Sequence, residues 1–265
     1  MFDKWLPVGG IGIWELFGPI GGTRRLREAL SAIDTMKNSR RVKAVLINVD
    51  SPGGLATASD CLYSAISRLA GRKPVVAFVS GSSASGAYLA TCSATRIVAL
   101  PTAVIGSIGV LSVRPVLQNL LNRIGIDVAV TKSGRLKDMG SMYRPATEEE
   151  KKKEEELVGG FFDYFVSAVA KGREIDEGVV RELATGEVFL GDKAKSLGLV
   201  DEVGDFELAA DIACELGDVP RRFIPIRRRP TLSERLLLRF ADESFQDWIF
   251  EAEAMLSHRR IYYRG

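Results

Sequence analysis

Three apolar runs, Ile11 to Phe17, Val42 to Val49 and Val75 to Val79, are each followed by a segment of helical periodicity, and this alternation constrains the chain more than any other feature. The run from Val42 to Val49 is continuous and largely β-branched, as a strand covered on both faces requires. After the first run, Thr23 is placed to cap a helix with Leu26, Leu30, Ile33 and Met36 at helical spacing. After the second, Leu55 to Leu69 puts Leu62, Ile66 and Leu69 on one face. Further strands are predicted at Ile97 to Leu100, Ile108 to Val113 and Val128 to Thr131, with Pro115 to Arg123 helical between the last two. Thr147 and Glu150 form a capping-box pattern opening a long helix that runs toward Ala170, and its charged start, Glu148 to Lys153, reads as a solvated face. Repeated alternation of strand and helix specifies an α/β fold, a mostly parallel sheet with helices packed on it.

Composition excludes several function classes. With 265 residues the chain can form one large α/β domain or two small ones. A net charge of +2, with basic and acidic residues interspersed, gives no global attraction to nucleic acid. Three cysteines, Cys61, Cys92 and Cys214, are too few and odd in number for a disulfide framework, so each reads first as a small buried hydrophobe. No uninterrupted apolar stretch reaches the ~18 residues of a membrane span, so the chain as given reads as soluble, without a transmembrane segment.

The third apolar run leads into Ser80-Gly-Ser-Ser-Ala-Ser-Gly-Ala-Tyr88, a small-residue turn ahead of a helix-like stretch. Such a junction presents a hydroxyl at the mouth of a sheet with the next backbone N–H groups aimed at whatever it attacks. Ser85 is the best-placed nucleophile, because Gly86 and Ala87 leave its amide side uncrowded; Ser80, Ser82 and Ser83 are rivals earlier in the turn. The bland reading of Ser85 is a helix N-cap. The only histidine, His258, lies in a charged tail, so a serine–histidine triad is not expected. A lysine is the remaining neutralisable base, and Lys137 sits in a second small-residue loop, Ser133 to Ser141, with Lys132 as its local competitor. Tyr88 and Cys92 read as packing.

The loop after the second strand is Asp50-Ser51-Pro52-Gly53-Gly54. Consecutive glycines past a strand end let backbone approach a ligand and turn an N–H toward it. Such an amide, together with the N–H of Gly86, would hold the charge that develops on a tetrahedral intermediate.

Asp50 to Gly54, Ala84 to Tyr88, Ile105 to Val110, Lys137-Asp138, Gly186 to Ala194 and Leu197 to Asp201 resemble, in order and approximate spacing, the signal peptide peptidase A family. The similarity runs from about residue 8 to residue 206. It implies a Clp-protease/crotonase-like fold of repeated ββα units with a mostly parallel sheet and a helical C-terminal part. It also implies a serine protease with a Ser-Lys dyad that cleaves leftover signal peptides. Ser85 then matches the nucleophile, Lys137 the general base and Ser107 the hydroxyl orienting that lysine. Gly54 and Gly86 match the oxyanion donors, with Gly53 letting the turn form. The substrate would lie extended beside the segment from Ile108, where Ile108, Gly109, Val110 and Leu111 would contact it. No metal and no cofactor is expected. The family assembles into rings and works at membranes on the extracytoplasmic side, so a homo-oligomer and a membrane-surface association are implied. Residues 1–206 would form the catalytic domain, and 207–265 an extension packing on it or on a neighbouring subunit. The anchor that bacterial relatives commonly carry at the N-terminus is missing from the chain as given.

The chemistry places a demand on Lys137. An exposed lysine titrates near ~10.4, so burial must disfavour its charged form, and Asp138 must face away from it. Two rival readings share the fold: a crotonase-type acyl-CoA enzyme, which would normally place carboxylates beside the oxyanion pair, and a non-catalytic scaffold, which would lack the serine or the lysine. In the tail, Leu232 to Leu256 reads as a helix with much aromatic surface, and it and the basic stretch Arg221 to Arg229 are candidates for subunit or membrane contacts.

Overall fold

The computed structural model describes residues 9–226. The readings of Leu232 to Leu256, of His258 and of the basic stretch beyond residue 226 lie outside the described residues. Two compact units are present, one formed by residues 9–108 and 165–226 and the other by residues 109–164.

The first unit is a sheet with helices on it, the mostly parallel α/β arrangement read from the alternation. Strands β1 (Gly10–Phe17), β2 (Val42–Ser51) and β3 (Val75–Ala84) lie side by side in parallel. Helices α1 (Thr23–Asn38) and α2 (Ala56–Ala70) make the crossovers. Strand β3 then forks. Its first half pairs with β4 (Arg96–Ala99), and its last three residues, Ser82 to Ala84, pair with β5 (Val104–Gly106). Between them, Ser85 leads into the short helix α3 (Gly86–Thr91). The outer strands complete the sheet: β6 (Val188–Leu190) runs antiparallel to β5, β7 (Glu202–Val203) follows β4, and β8 (Phe223–Pro225) borders β1.

Alternation along the strands explains how the faces are covered. Ile11, Ala44, Leu46, Val76, Phe78 and Val98 form one buried face with Ala209, Ala210 and Ala213. Those alanines belong to α8 (Phe206–Gly217), and their small side chains let the helix lie close on the strands. Ile33 and Met36 of α1 and Leu62, Ile66 and Leu69 of α2 are also buried, as their helical spacing anticipates. Between β6 and β7 lies α7 (Gly191–Ser196), and ahead of β6 lies α6 (Glu177–Leu183), whose N-cap Asp176 accepts from the backbone N–H of Gly178 and Val179. Residues 207–225 therefore contribute a helix and an edge strand to this sheet.

The second unit contains α4 (Gln118–Arg123) and the first part of α5 (Glu148–Arg173), which ends in the first unit. The capping box at the start of α5 is formed: Thr147 N–H donates to Glu150 Oε2 at 2.8 Å and Glu150 N–H to Thr147 Oγ1 at 3.3 Å.

Several local readings are corrected. Neither Ile108 to Val113 nor Val128 to Thr131 forms a strand. A strand persists only where a neighbour closes its ladder; one edge of β5 is taken by β3 and the other by β6, and Leu111, Val113, Val128 and Val130 remain exposed. The turn expected at Ser80 starts only after Ala84, because Ser82 to Ala84 pair with Val104 to Gly106, and Ser83 with Ser51, so β3 is extended. Thr23 is the first residue of α1 rather than its cap; Gly22 takes that place. Cys92 is buried as expected, whereas Cys61 is exposed on α2 and Cys214 is only half-buried on α8.

Candidate active site

The β3–α3 junction places Ser85 where a nucleophile is expected. Its φ of 50° and ψ of −125° lie in a region side chains rarely occupy, at a cost of ~1–3 kcal/mol. The surroundings hold it there: its N–H donates to Gly106 O at 2.8 Å and its carbonyl accepts from Leu89 N–H at 3.0 Å. Ser85 is the residue before the first turn of α3, yet its hydroxyl makes no capping bond, so the N-cap reading of this side chain does not hold. Half-buried, it keeps a hydroxyl free for other chemistry.

Two glycines of the loop after β2 press against this serine. A Cβ on Gly53, whose φ is +96°, would lie 2.6 Å from Ala84 O, 2.7 Å from Gly86 N and 3.0 Å from Ser85 Cβ. Only glycine allows both that backbone and that approach. A Cβ on Gly54 would lie 1.9 Å from Ile20 O, because Ile20 and Gly54 form a parallel bridge in which Ile20 N–H donates to Gly53 O and Leu55 N–H to Ile20 O. That bridge uses the amides on either side of Gly54. Among the described residues, neither the Gly54 N–H nor the Gly86 N–H has a protein acceptor. The two glycines expected as oxyanion donors lie close to each other, since a Cβ on Gly86 would lie 3.3 Å from Gly54 N.

The same Gly86 Cβ position lies 2.1 Å from Ser59 Oγ. Ser59 is fully buried on α2 and its hydroxyl is unpaired. Sequence reasoning missed it, and missed Ile20 and Asp50 as supports of the loop. Asp50 Oδ1 accepts from both the N–H and the hydroxyl of Ser82, each at 3.0 Å, which fastens the end of β2 to β3.

Ser107 follows Gly106 and also carries a φ of 50°. Its N–H donates to Glu187 O at 2.7 Å, fixing the residue at the end of β5. Tyr88 is fully buried, and its hydroxyl donates to Leu199 O at 2.8 Å, anchoring α3 to the Leu197 to Asp201 block. Asp201 in turn pairs with Arg173 at 2.8 Å and accepts from Ile97 N–H at 2.6 Å. Burial pushes the Cys92 thiol up to about 12, so it stays protonated and is no rival nucleophile.

The Lys137 loop belongs to the second unit. Lys137 is exposed rather than buried as the dyad chemistry requires, and its ammonium has no acceptor among the described residues. Asp138 is engaged elsewhere, as the dyad chemistry demands: Lys132 Nζ donates to its Oδ1 at 2.6 Å and Arg144 Nε to its Oδ2 at 2.9 Å. These cations, Lys132 first, hold its carboxyl down at about 2. Of the four residues expected to contact substrate, Ile108 is buried at the end of the first unit, Gly109 and Val110 are half-buried, and Leu111 is exposed. A groove of about 580 Å³ between β1 and α1, lined by Trp14, Leu16, Phe17, Leu26 and Leu62, shares Ile20 with the glycine loop.

A strained serine at a strand–helix junction of a parallel α/β sheet is the arrangement of a serine hydrolase. The solved structure of 1510-N, a membrane-bound stomatin-specific protease in a serine-to-alanine mutant form, has the same Clp-protease-like fold, covering 84% of this chain and all of that one with a TM-score of 0.57 at 15% identity. Residues 67–219 match peptidase family S49, and the chain belongs to that family of serine peptidases. A protein of Methanocaldococcus jannaschii assigned as a protease is 38% identical over 193 residues, 73% of this chain and 62% of its own length. The chloroplastic serine protease SPPA of Arabidopsis thaliana is 33% identical over 85% of this chain and 33% of its own, and protease 4 of Salmonella typhi 34% identical over 76% and 32%. The chain thus spans less than two thirds of each of these three relatives. No helix among the described residues is long and apolar enough to cross a membrane.

Proposed function

We propose that the chain is a serine endopeptidase working through a Ser85–Lys137 dyad. Neutral Lys137 accepts the Ser85 Oγ proton as the oxygen attacks the scissile carbonyl; the carbonyl oxygen takes the negative charge and the Gly54 and Gly86 N–H groups stabilise it. The protonated amine then passes its proton to the departing amino group, leaving an acyl-enzyme on Ser85. Water, deprotonated by the same lysine, releases the acid. Ser107 supplies a neutral hydrogen bond that orients the amine. The observation that supports this reading is the position of Ser85: strained, uncapped and packed against the Gly53-Gly54 loop.

The substrates are apolar peptides, remnants of signal peptides among them, lying extended along Ile108, Gly109, Val110 and Leu111. A strand added there would supply the ladder partner that this segment lacks. Since Lys137 is exposed, the dyad needs substrate or a second copy of the chain to cover its loop and exclude water, which agrees with a ring-shaped homo-oligomer at a membrane surface on the extracytoplasmic side. Labelling with a serine-directed phosphonate tests the dyad. Ser85→Ala should abolish labelling, and Lys137→Ala should slow it by about 10²-fold or more at neutral pH. Labelling untouched by either change would remove the hydrolase reading.

A further inference from the structure

The loop carrying Lys137 also carries a competitor for its ammonium, the next residue, Asp138. In the second unit that carboxylate is fully occupied. Lys132 Nζ binds Oδ1 at 2.6 Å, and Arg144 reaches Oδ2 through NH2 at 2.8 Å and Nε at 2.9 Å. Arg144 is itself held from behind. Its NH1 and NH2 fork onto the two oxygens of Glu150 at 2.8 and 2.5 Å, and the Glu150 side chain, 1% exposed, also accepts from Thr147 N–H. The guanidinium therefore bridges two carboxylates, one buried at the start of α5 and one beside Lys137.

Two further cations of this unit are also paired, and Lys132 makes a second bond. Arg135 pairs with Glu149 at 3.0 Å, Arg114 with Glu154 at 3.9 Å, and Lys132 additionally donates to Arg135 O at 3.1 Å. Among the described residues the Lys137 ammonium alone in this loop has no acceptor. The bonds also fix backbone: Ser141 donates both its N–H and its hydroxyl to Asp138 O, closing a turn just after Lys137.

We propose that Arg144, backed by Glu150 and assisted by Lys132, is a positioning residue that withholds Asp138 from Lys137 and so leaves the amine free to act as base. This rests on the dyad reading above. A carboxylate freed beside an amine favours the ammonium form, and one opposite charge at that range moves such an equilibrium by about one pH unit or more. A planar fork oriented by a second, buried carboxylate is suited to the task, because it can hold Asp138 in one direction without swinging toward Lys137.

The test is the pH dependence of phosphonate labelling of the full chain. In Arg144→Gln/Glu150→Gln, which removes the guanidinium without stranding a buried carboxylate, the acid limb of the rate profile should move up by about one unit, and labelling at pH 7 should fall about tenfold. Adding Asp138→Asn should return the limb to its original position. Mere loosening of the loop would lower the rate with an unmoved limb and no rescue by Asp138→Asn, and that result overturns the proposal. Lys132→Gln keeps Arg144 paired with Glu150 and so leaves the start of α5 intact; it should move the limb in the same direction by less, and an unmoved limb here counts equally against the proposal. Lys137→Ala separates the two readings. If it labels at the original rate, the dyad itself fails; if it is inactive while the Arg144 and Lys132 variants keep the original limb, only the role of Arg144 falls.

Discussion

Ser85 and Ser107 each lie one residue beyond the last pair of the β3–β5 ladder, Ala84 with Gly106, and both have a φ of 50°. Gly106 joins them, its carbonyl accepting from Ser85 N–H at 2.8 Å and its own φ of +112° turning the chain into Ser107. Two strained serines at the ends of paired strands are set by sheet register rather than by loop chance. The fork in β3 makes this possible, because β4 covers only the first half of its edge and leaves the last three residues to β5.

Strain at the nucleophile predicts a difference between two inactivating changes. Alanine at position 85 inherits the unfavourable φ, whereas glycine adopts it freely. Ser85→Gly should therefore be more stable than Ser85→Ala by ~1 kcal/mol, with both inactive. Denaturant unfolding compares them; equal midpoints would show that the junction is not strained.

Gly53→Ala should inactivate the protein without touching either proposed dyad residue. The added methyl would meet Ala84 O, Gly86 N and Ser85 Cβ within 3.0 Å, at a φ of +96°, so the glycine loop must withdraw from the serine. Loss of one oxyanion donor is worth about 10²–10³ in rate. A fall of this size in phosphonate labelling is expected, with Ser85 still present; labelling within about threefold of the original would mean that Gly54 N–H takes no part.

Much of this arrangement was legible in the sequence, and what escaped has a common cause. The continuous runs at Val42 and Val75 and the spacing of Ile33, Met36, Leu62, Ile66 and Leu69 reported burial directly, because those residues face one core. Ser85, Gly53 and Gly54 were visible because two small-residue loops, each a common structural turn by itself, occur together at the ends of neighbouring strands. The segments from Ile108 and Val128 misled, since β-branched composition states what a strand could hold and not whether a neighbour exists to pair with it. Ser59, Ile20 and Asp50 were hidden for a related reason: each acts through a partner distant in sequence, Gly86, Gly54 and Ser82 respectively.

Ser59 gives the site an unusual packing requirement. Its unpaired buried hydroxyl destabilises the fold by roughly 1–3 kcal/mol relative to a paired one, so Ser59→Ala should be neutral or slightly stabilising. Ser59→Val places a further methyl group on a side chain already filling the space where a Gly86 Cβ would lie, and overpacking there should cost ~1–3 kcal/mol together with labelling activity. Thermal unfolding of the two variants decides it. A destabilised alanine variant would mean that the hydroxyl has a partner after all.

Acid should unfasten the Lys137 loop in a defined window. Hydrogen bonds from Lys132 and then Arg144 hold the Asp138 carboxyl at about 2, and those from Arg144 and then Thr147 N–H hold Glu150 at about 2. Both lie below the ordinary carboxylate values of about 4 that apply in the unfolded chain. A folded value lower than the unfolded one means that the stabilisation is complete above about pH 4 and is lost as the pH falls toward 2. Carboxyl carbon NMR should therefore show both groups ionised at pH 3.5, with the loop signals from 132 to 144 shifting only below about pH 3. Arg144→Gln should bring both midpoints back toward the ordinary range. Midpoints near 4 in the unsubstituted protein would show that Asp138 is not held by these cations and stands free beside Lys137.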